Sequence, residues 1–268
     1  MFNFLNKVFK LPTEIVEGAK IYKFPFINGQ EIAVSETIVI TWIIMIALLI
    51  ILSFGTRNLE LIPSKKQVVF ESIYDFYNWL TTNVLKNWNT KFIAYISALM
   101  TYLIFSNTIS LIPLPSFSVV DGVLHVDAFF SAPTSDLNTT VALATITTIA
   151  FLFYGIKLNG FGGYIKGLMS PNIVMFPLNI IGEMAKPLNI SMRLFGNILG
   201  GGVIMTLIYQ FTSWIFSKTL IPVPLLIAPL HLYFDLFSGL IQSFVFTMLT
   251  LVYVSMAIGD NEPEPVMN

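Results

Sequence analysis

The sequence predicts an all-α polytopic membrane protein, and three observations support this fold class. Apolar residues make up 55% of the chain and charged residues only 11%, with a mean hydropathy of +0.77. Several apolar runs approach or exceed the roughly 20 residues that an α-helix needs to cross a bilayer. The charged residues lie mainly between those runs. A soluble core cannot bury this much apolar surface, so we expect one bundle of about five to six membrane-embedded helices.

We expect the bundle to form one membrane domain over residues 1–268, in consecutive parts. These are an outer-side N-terminal segment (1–36), upright and interfacial helices (37–157), tilted helices (173–258) and an inner-side tail (259–268). The N-terminal stretch has no continuous apolar run and no small-residue cleavage site, which argues against a signal peptide. We interpret its beginning as a short amphipathic helix at the membrane interface.

The first predicted span covers residues 37–54, where β-branched and aliphatic residues dominate, and it ends at Arg57. The segment that follows mixes charged and aromatic residues. We interpret it as an interfacial or cytoplasmic segment with helical character. Its charged residues include Arg57, Lys65, Lys66, Glu71, Asp75, Lys86 and Lys91. A second span is expected at about residues 92–113.

The distribution of lysine and arginine between the spans predicts the orientation of the chain. The loop over residues 113–136 holds acids and a histidine but no lysine or arginine, so the positive-inside rule places it outside. A third span is expected over residues 139–157, and the next loop carries Lys157 and Lys166, which agrees with an inner position. The N-terminus is then expected outside and the C-terminus in the cytoplasm.

The last hundred residues contain two longer apolar stretches, 173–216 and 222–258. Each is too long for one upright helix and too interrupted for two regular ones, which favours tilted helices. The interruptions are prolines and glycines, which weaken or break helices; they are Pro177, Pro187, Gly200, Gly201, Gly202, Pro222, Pro224 and Pro229.

Arg193 lies far from either end of the first long stretch and is the strongest functional candidate. Burying an arginine at the centre of a membrane helix costs roughly 2.5 to 3.5 kcal/mol, so such a residue usually faces a water-filled path or a partner. The alternative is that its side chain extends to the interface from a shallower depth. Lys186, Asn189 and Asn197 stand at intervals of three and four residues from Arg193 or from one another, which predicts one polar face.

A second polar face is predicted on the last helix, where His231, Asp235, Ser238 and Gln242 have helical spacing. Two such faces opposite each other would line an aqueous path. Asparagine and glutamine also serve as hydrogen-bonding contacts between membrane helices, and Asp235 has ion pairing with a basic residue as its alternative. His231 lies nearer the outer end, where an interfacial position is the preferred interpretation.

Three further polar residues have both a structural and a functional interpretation. Glu183 lies off the arginine face and is either a channel acid or a partner of Lys186. Asp136 and Asn138 precede the third span, at the outer mouth of a helix. Asp136 fits an N-cap that binds free backbone amides, and it also fits a channel mouth; the two roles are compatible.

Several function classes are not supported by the sequence. A net charge of -1 gives no indication of nucleic-acid binding. With no cysteine and two histidines, a metal site is not expected, and no cofactor is implied. We find no nucleophile elbow, paired acidic metal motif or phosphate loop. The main alternative is a secondary transporter with broken helices, although no internal repeat supports that class.

Three sequence segments resemble the subunit a family of F-type ATP synthases. They are AKPLNISMRLFGNILGG, which contains Arg193, APTSDLNTTVALA, which contains Asp136 and Asn138, and GLIQSFVFTMLTLVYVSMA, which contains Gln242. The resemblance spans roughly residues 60–258, in the same order. It implies the stator channel subunit of the synthase, non-catalytic by itself, in a bacterial cytoplasmic membrane or, alternatively, a mitochondrial inner membrane.

The resemblance also implies roles for individual residues. Arg193 would face the carboxylates of a rotating ring of c subunits, Asn197 would lie one turn beyond it, and Gln242 would lie opposite. Asp235 occupies a position of a half-channel acid or histidine. The two C-terminal helices would form a strongly tilted hairpin against the ring. The implied partners are the c-subunit ring, the peripheral stalk subunit b, other synthase subunits and membrane lipid.

The expected mechanism is that two offset half-channels meet near Arg193, one reached from outside past Asp136 and Asp235. Asn189 and Ser238 belong to the polar faces along the path. The sequence departs from many relatives after the RLFGN element, where Gly200, Gly201 and Gly202 replace an expected glutamate, histidine or lysine. This departure leaves open which acids line which half-channel and whether protons or sodium ions pass.

Overall fold

The structure is a computed structural model that describes residues 21–25, 31–57, 59–109, 116–120, 123–127, 132–170, 172–216, 229–230 and 232–259. Long α-helices carry the fold within these ranges. Their bounds are α1 Glu36–Thr56, α2 Lys65–Leu85, α3 Asn89–Thr108, α4 Leu137–Leu168, α5 Phe176–Phe216 and α6 Ser238–Ile258.

Four of the described helices, α1, α4, α5 and α6, are long and apolar enough to cross a membrane. This finding confirms the prediction of an all-α polytopic membrane protein. The helix α3 falls outside that set, and it ends at Thr108, earlier than the second span that the sequence predicts. Its inward face nevertheless supplies much of the core of the bundle.

The larger core lies among α2, α3, α4 and α6. We call it the Trp88 cluster; its buried residues are Tyr77, Leu80, Leu85, Trp88, Phe92, Ile96, Met100, Phe151, Leu251, Val254 and Ile258. Aromatic rings dominate one part of it, with the Phe92 and Tyr154 centroids 4.6 Å apart. Apolar packing between α3, α4 and α6 therefore holds the centre of the bundle.

A second core attaches α5 to this centre. We call it the Leu194 cluster; its buried residues are Leu99, Leu103, Ala144, Ile190, Leu194 and Phe246. Ile190 and Leu194 stand four residues apart, so both point from the same face of α5 into the bundle. This contact fixes the rotation of α5 about its own axis at the level of Arg193.

The helix α1 packs beside α2 and α3 and leaves most of its apolar surface exposed, as expected of a helix in contact with lipid. Leu49 and Phe54 have exposed fractions of 67% and 74%. The hydroxyls of Thr41 and Tyr102 lie 3.3 Å apart, which adds a polar contact between α1 and α3.

Two antiparallel β-hairpins interrupt the helical pattern, and the sequence analysis did not predict either. Strand β1 (Ile21–Pro25) pairs with β2 (Glu31–Ser35), and β3 (Ser116–Val120) pairs with β4 (Val123–Asp127). Only Asp121 and Gly122 separate β3 from β4, and Asp-Gly is a strong signal for a tight hairpin. The amphipathic helix expected at the beginning of the chain lies outside the described residues.

The first helical part of α4 ends at Gly160, close to its predicted end at Lys157. A second helical part follows and runs to Leu168, through a region that was expected to be a loop. At Gly160 the backbone has φ 70° and ψ 158°, which marks a kink that glycine adopts without steric cost. The final part of α4 is thereby redirected relative to the part within the bundle.

The helix α5 is continuous over 41 residues, although Pro187 lies inside it and glycines follow Arg193. The predicted interruptions therefore do not break this helix. At 1.5 Å per residue it is about 62 Å long, roughly twice the thickness of the hydrocarbon core. A helix of this length fits a bilayer when it is strongly tilted, which agrees with the sequence-based expectation.

Asn107 joins three separate parts of the chain at the end of α3. Its Nδ2 donates to the Gly239 carbonyl at 3.1 Å and to Ser243 Oγ at 2.8 Å, and its Oδ1 accepts from the Thr134 hydroxyl at 2.5 Å. Gly239 lets the helices approach closely, since an added Cβ would lie 3.0 Å from the Asn107 Cβ. This buried network fixes the start of α6 against α3.

Candidate functional site

Arg193 lies near the middle of α5, on a face that points out of the bundle. It is exposed, whereas the adjacent Leu194 is fully buried. Along the helix axis, Arg193 is about 26 Å from the first residue of α5 and about 35 Å from the last. No hydrogen bond or ion pair of the guanidinium occurs within the part of the chain that the structure describes. Its partner, if one exists in the assembly, comes from outside these residues.

Three of the four residues of the polar face predicted around Arg193 lie on one exposed face of α5, whereas Lys186 is largely buried beside two aromatic rings. Asn189, Arg193 and Asn197 are all exposed and follow one another at intervals of four residues. Gly200 continues the same face three residues after Asn197, and nothing lies within 4 Å of the position that its Cβ would take. The face combines one cation, two amides and open space for a neighbouring helix.

Asn197 connects this face to α6. Its Nδ2 donates to Ser238 Oγ at 2.8 Å. Both residues were predicted as site residues on separate helices, and the structure brings them into direct contact. The contact lies one turn beyond Arg193, so the start of α6 is held close to the level of the arginine.

Gln242 lies one turn after Ser238 on α6 and is almost completely buried, with 6% of its surface exposed. Its Nε2 has no hydrogen-bond partner among the described residues. A buried polar atom without a partner costs about 1 to 3 kcal/mol, so such an atom is usually satisfied by water or another molecule. No described contact joins Gln242 to Arg193.

The second polar face differs from its prediction. Residues Leu232–Phe237 form a π-helical turn, in which hydrogen bonds run to the fifth residue rather than the fourth. The predicted alignment of His231, Asp235, Ser238 and Gln242 assumed an unbroken α-helix, so only Ser238 and Gln242, within α6, keep the expected spacing. The backbone of Asp235 lies in the π-helical turn; its side chain and all of His231 are outside the described residues.

Asp136 caps the beginning of α4. One carboxylate oxygen accepts from the Asn138 backbone amide at 2.9 Å, and the other accepts from the Thr37 hydroxyl at 3.1 Å. The side chain therefore stabilises α4 and ties it to the start of α1. Asn138 itself is exposed. The capping role is thus present, and the channel-mouth role of both residues stays a prediction.

Glu183 and Lys186 form an ion pair on α5, with a distance of 2.5 Å between Oε1 and Nζ. The ammonium also lies 5.3 Å from the Phe151 ring centroid and 5.6 Å from that of Tyr253. Both distances are within the range of cation–π attraction. The aromatic residues come from α4 and α6, so Lys186 is held where three helices meet.

A cavity of about 540 Å³ opens beside this ion pair. It lies between the segment of α4 after Gly160, the beginning of α5 and the end of α6. Its polar lining residues are Asn159, Tyr164, Asn179, Glu183 and Lys186. The phenol of Tyr164 interacts with the Glu183 carboxylate. The cavity brings one acid, one base and several neutral polar groups to one end of the bundle.

Sequence reasoning missed Asn159, Tyr164 and Asn179 as members of this site. Asn179 carried a signal, since it lies four residues before Glu183 and extends the polar spacing on α5. Its Nδ2 donates to the Leu168 carbonyl at 2.7 Å and so covers the end of α4. Asn159 and Tyr164 were assigned to a loop, but Asn159 lies at the end of the first helical part of α4 and Tyr164 lies in the helical part after Gly160.

Metal binding finds no support in the described part of the chain, where no group of three or more histidine, cysteine, aspartate or glutamate side chains occurs. The polar groups of the site are single charges and neutral amides or hydroxyls. They suit the passage of a monovalent cation more than the permanent binding of a divalent metal.

Comparisons with known proteins point to one family. A family model described as ATP synthase A chain matches residues 38–255. The chain is 44% identical to the "ATP synthase subunit a, sodium ion specific" of Propionigenium modestum, over 95% of this chain and 89% of that protein. It is 32% identical to the "ATP synthase subunit a" of Moorella thermoacetica, over 84% and 91%. Identity to the corresponding protein of Gloeobacter violaceus is 30%, over 85% of each chain.

Proposed function

Because this chain belongs to the ATP synthase A chain family, the non-catalytic ion-channel stator subunits of F-type ATP synthases, we propose that it conducts sodium ions through two half-channels that meet at Arg193. The observation that carries the proposal is the guanidinium of Arg193, exposed in the middle of a long helix and unpaired among the described residues. A central arginine in a membrane requires a polar partner, and a passing carboxylate supplies one.

We propose that the partner is a ring of c subunits, each with a carboxylate that binds the transported ion. Near Arg193 the positive charge stabilises the ionised carboxylate and repels the bound cation, so each ring site loses its ion before it passes. Arginine suits this role because its guanidinium stays charged. The same charge prevents cations from leaking directly between the half-channels.

The two half-channels approach Arg193 from opposite sides of the membrane. The outer path would lead past Asp136, Asn138 and Asp235 to the contact between Asn197 and Ser238. The inner path would begin at the cavity that holds Glu183 and follow the polar face of α5 past Asn189. Gln242 would bind the ring or water near the meeting point, which would satisfy its buried Nε2.

Sodium as the coupling ion is supported by the relative from Propionigenium modestum, whose name states sodium specificity and which is 44% identical over nearly the whole chain. We propose that this chain belongs to a sodium-coupled complex of the same kind. Each charge that crosses the membrane releases about 2.3 kcal/mol per 100 mV, so several ions per ATP supply enough free energy for synthesis.

We further propose a bacterial cytoplasmic membrane, with the N-terminus outside and the C-terminus inside. The acidic hairpin region before Asp136 would face outward, and Lys157 and Lys166 would face the cytoplasm. Subunits of an F-type ATP synthase are partners of this family; the c ring along α5 and subunit b of the peripheral stalk are the specific neighbours that we propose. The continuous α5 argues against the alternative of a transporter with broken helices.

The test uses the intact complex, purified and reconstituted into lipid vesicles. We expect ATP to drive sodium uptake, and we expect Arg193→Ala to abolish uptake while the complex still assembles. Arg57→Ala is the matched control, because Arg57 is the other arginine of the sequence and lies exposed at the end of α1. Sodium uptake by the Arg193→Ala complex at the rate of the unmodified complex would contradict the role of Arg193.

The coupling ion is tested separately by carbodiimide labelling of the ring carboxylate at fixed pH. Sodium is expected to slow the labelling, and potassium at the same concentration is expected to have no effect. Equal labelling rates in the two salts would contradict sodium coupling but would leave the role of Arg193 intact.

A further inference from the structure

We infer that Glu183 is a cation-exchange site at the inner end of the ion path, where the transported ion and the Lys186 ammonium compete for one carboxylate. The inference rests on the proposed function and adds a binding site to it. The residues of this binding site lie away from Arg193, at the cavity beside the ends of α4 and α6.

The geometry of the pair allows such an exchange. Glu183 Oε1 and Lys186 Nζ are 2.5 Å apart, and their side chains keep 25% and 18% of their surfaces exposed. Both residues line the cavity of about 540 Å³, so the carboxylate is open to a small cation from that side. Partly exposed ion pairs contribute little stability, because water screens the charges, and this makes the pair exchangeable.

A second contact, independent of Glu183, holds the Lys186 ammonium in place. The faces of Phe151 and Tyr253, at 5.3 and 5.6 Å from Nζ, attract the ammonium through their ring electrons. The ammonium can therefore stay at the wall of the cavity while the carboxylate binds another cation. An arrangement that served only to neutralise Lys186 would not need these two rings.

Oxygen ligands for an incoming sodium ion are available around Glu183. The Tyr164 hydroxyl interacts with the carboxylate from the end of α4, and the cavity has room for water molecules as further ligands. Hard cations prefer oxygen ligands of this type. Glu183 stands ten residues before Arg193, which is about 15 Å along the axis of α5. Asn189 lies between their levels along the axis, so the site lies beyond the inner end of the polar face, on another side of α5.

The charge balance explains why the acid is needed. Without Glu183, Lys186 would present an uncompensated positive charge at the mouth of a cation path and would repel the entering ions. With Glu183 present, the mouth is neutral in the resting state and offers a negative group when the ammonium is displaced. By competing for the carboxylate, Lys186 lowers the affinity of Glu183 for the ion. The bound ion is therefore released again.

The experiment measures ATP-driven sodium uptake by reconstituted complexes as a function of the sodium concentration on the ATP side. The variants are Glu183→Gln, Lys186→Gln and the double variant, with Lys166→Gln as the control. Lys166 is exposed at the end of α4 and does not line the cavity. Copurification of the other subunits and ATP hydrolysis report assembly.

We expect Lys186→Gln to lower the half-saturating sodium concentration roughly twofold to fivefold, the range for removal of a partly exposed competing charge. Glu183→Gln should raise it by roughly tenfold, since both the ligand and the neutrality of the mouth are lost. The double variant should stay impaired, because neutrality is restored but the carboxylate is absent. Lys166→Gln should match the unmodified complex.

The double variant is decisive. If it recovers the sodium dependence of the unmodified complex, the pair is only a structural ion pair and the exchange site is overturned. Unchanged sodium dependence in all assembled variants overturns it as well. Failure of the unmodified complex to take up sodium would instead contradict the proposed function, and the exchange site with it.

Discussion

Asn197 on α5 donates a hydrogen bond of 2.8 Å to the hydroxyl of Ser238 on α6. This bond joins the helix that carries the central arginine to the helix that carries the buried Gln242. Of the residues that connect the two helices, 217–228 and 231 lie outside the described part of the chain. Asn197 and Ser238 therefore define the level at which the two polar faces meet.

The first prediction concerns this bond. Asn197→Ala and Ser238→Ala each remove it, and we expect each to destabilise the complex by about 0.6 kcal/mol, with an upper limit near 1.7 kcal/mol. The double variant should lose no more than either single variant, because both remove the same contact. Thermal dissociation of the purified complex measures the effect. Additive losses would contradict the pairing, and Ser97→Ala, whose hydroxyl bonds within its own helix, is the control.

The second prediction concerns the ring-facing surface of α5. Gly200 shares the face of Arg193, and a Cβ at this position would meet nothing within 4 Å in the isolated chain. If a c ring packs here, Gly200→Leu should reduce copurification of the ring and ATP-driven sodium uptake. Gly162→Leu, at another glycine with open surroundings, should reduce neither. Normal assembly and uptake with Gly200→Leu would place the ring elsewhere.

The third prediction concerns the chemical nature of the central charge. Arg193→Lys keeps a positive charge but replaces a guanidinium by an ammonium that loses its proton more readily when desolvated. We expect assembly to be retained and sodium uptake per ATP hydrolysed to fall markedly, with increased passive sodium leakage. The measurement compares ATP-driven uptake with leakage in the absence of ATP. Coupled uptake equal to that of the unmodified complex would show that any cation suffices.

The fourth prediction concerns the buried network at Asn107. Asn107→Leu removes two donated bonds and one accepted bond, and it leaves buried oxygens of Gly239, Ser243 and Thr134 with fewer partners. We expect a stability loss of about 1 to 3 kcal/mol, seen as a lower temperature of thermal inactivation. Thr108→Val is the neighbouring control, since the Thr108 hydroxyl bonds to its own helix. An unchanged inactivation temperature would contradict the structural role.

The fifth prediction separates the two roles of Asp136. Asp136→Asn keeps an oxygen for the Asn138 amide, so we expect stability close to that of the unmodified protein; Asp136→Ala should cost about 0.5 to 2 kcal/mol. Because we propose that the outer half-channel passes Asp136, we expect Asp136→Asn to reduce sodium uptake. Normal uptake by Asp136→Asn would limit Asp136 to the capping role and would place the outer path elsewhere.

Much of the fold could be predicted because a membrane helix is recognisable from the apolar residues of its own segment. The apolar runs that became α1, α4, α5 and α6 are visible in the sequence, and the shared face of Asn189, Arg193 and Asn197 follows from helical spacing. The boundaries were less predictable. Gly160 takes non-helical dihedral angles and separates two helical parts of α4, whereas Pro187 lies inside an unbroken α5.

The sequence by itself determined that the chain is a membrane protein. It also determined that one arginine lies in the middle of an apolar helix, where a charge is costly. The tertiary structure decided which polar groups meet. The π-helical turn before Ser238 changed the phase of the last helix, and the kinked end of α4 brought Tyr164 to Glu183. Hydropathy and charge can be determined from a short stretch of sequence. The contacts depend instead on how helices that are distant in the chain rotate and approach each other. Only packing fixes that rotation.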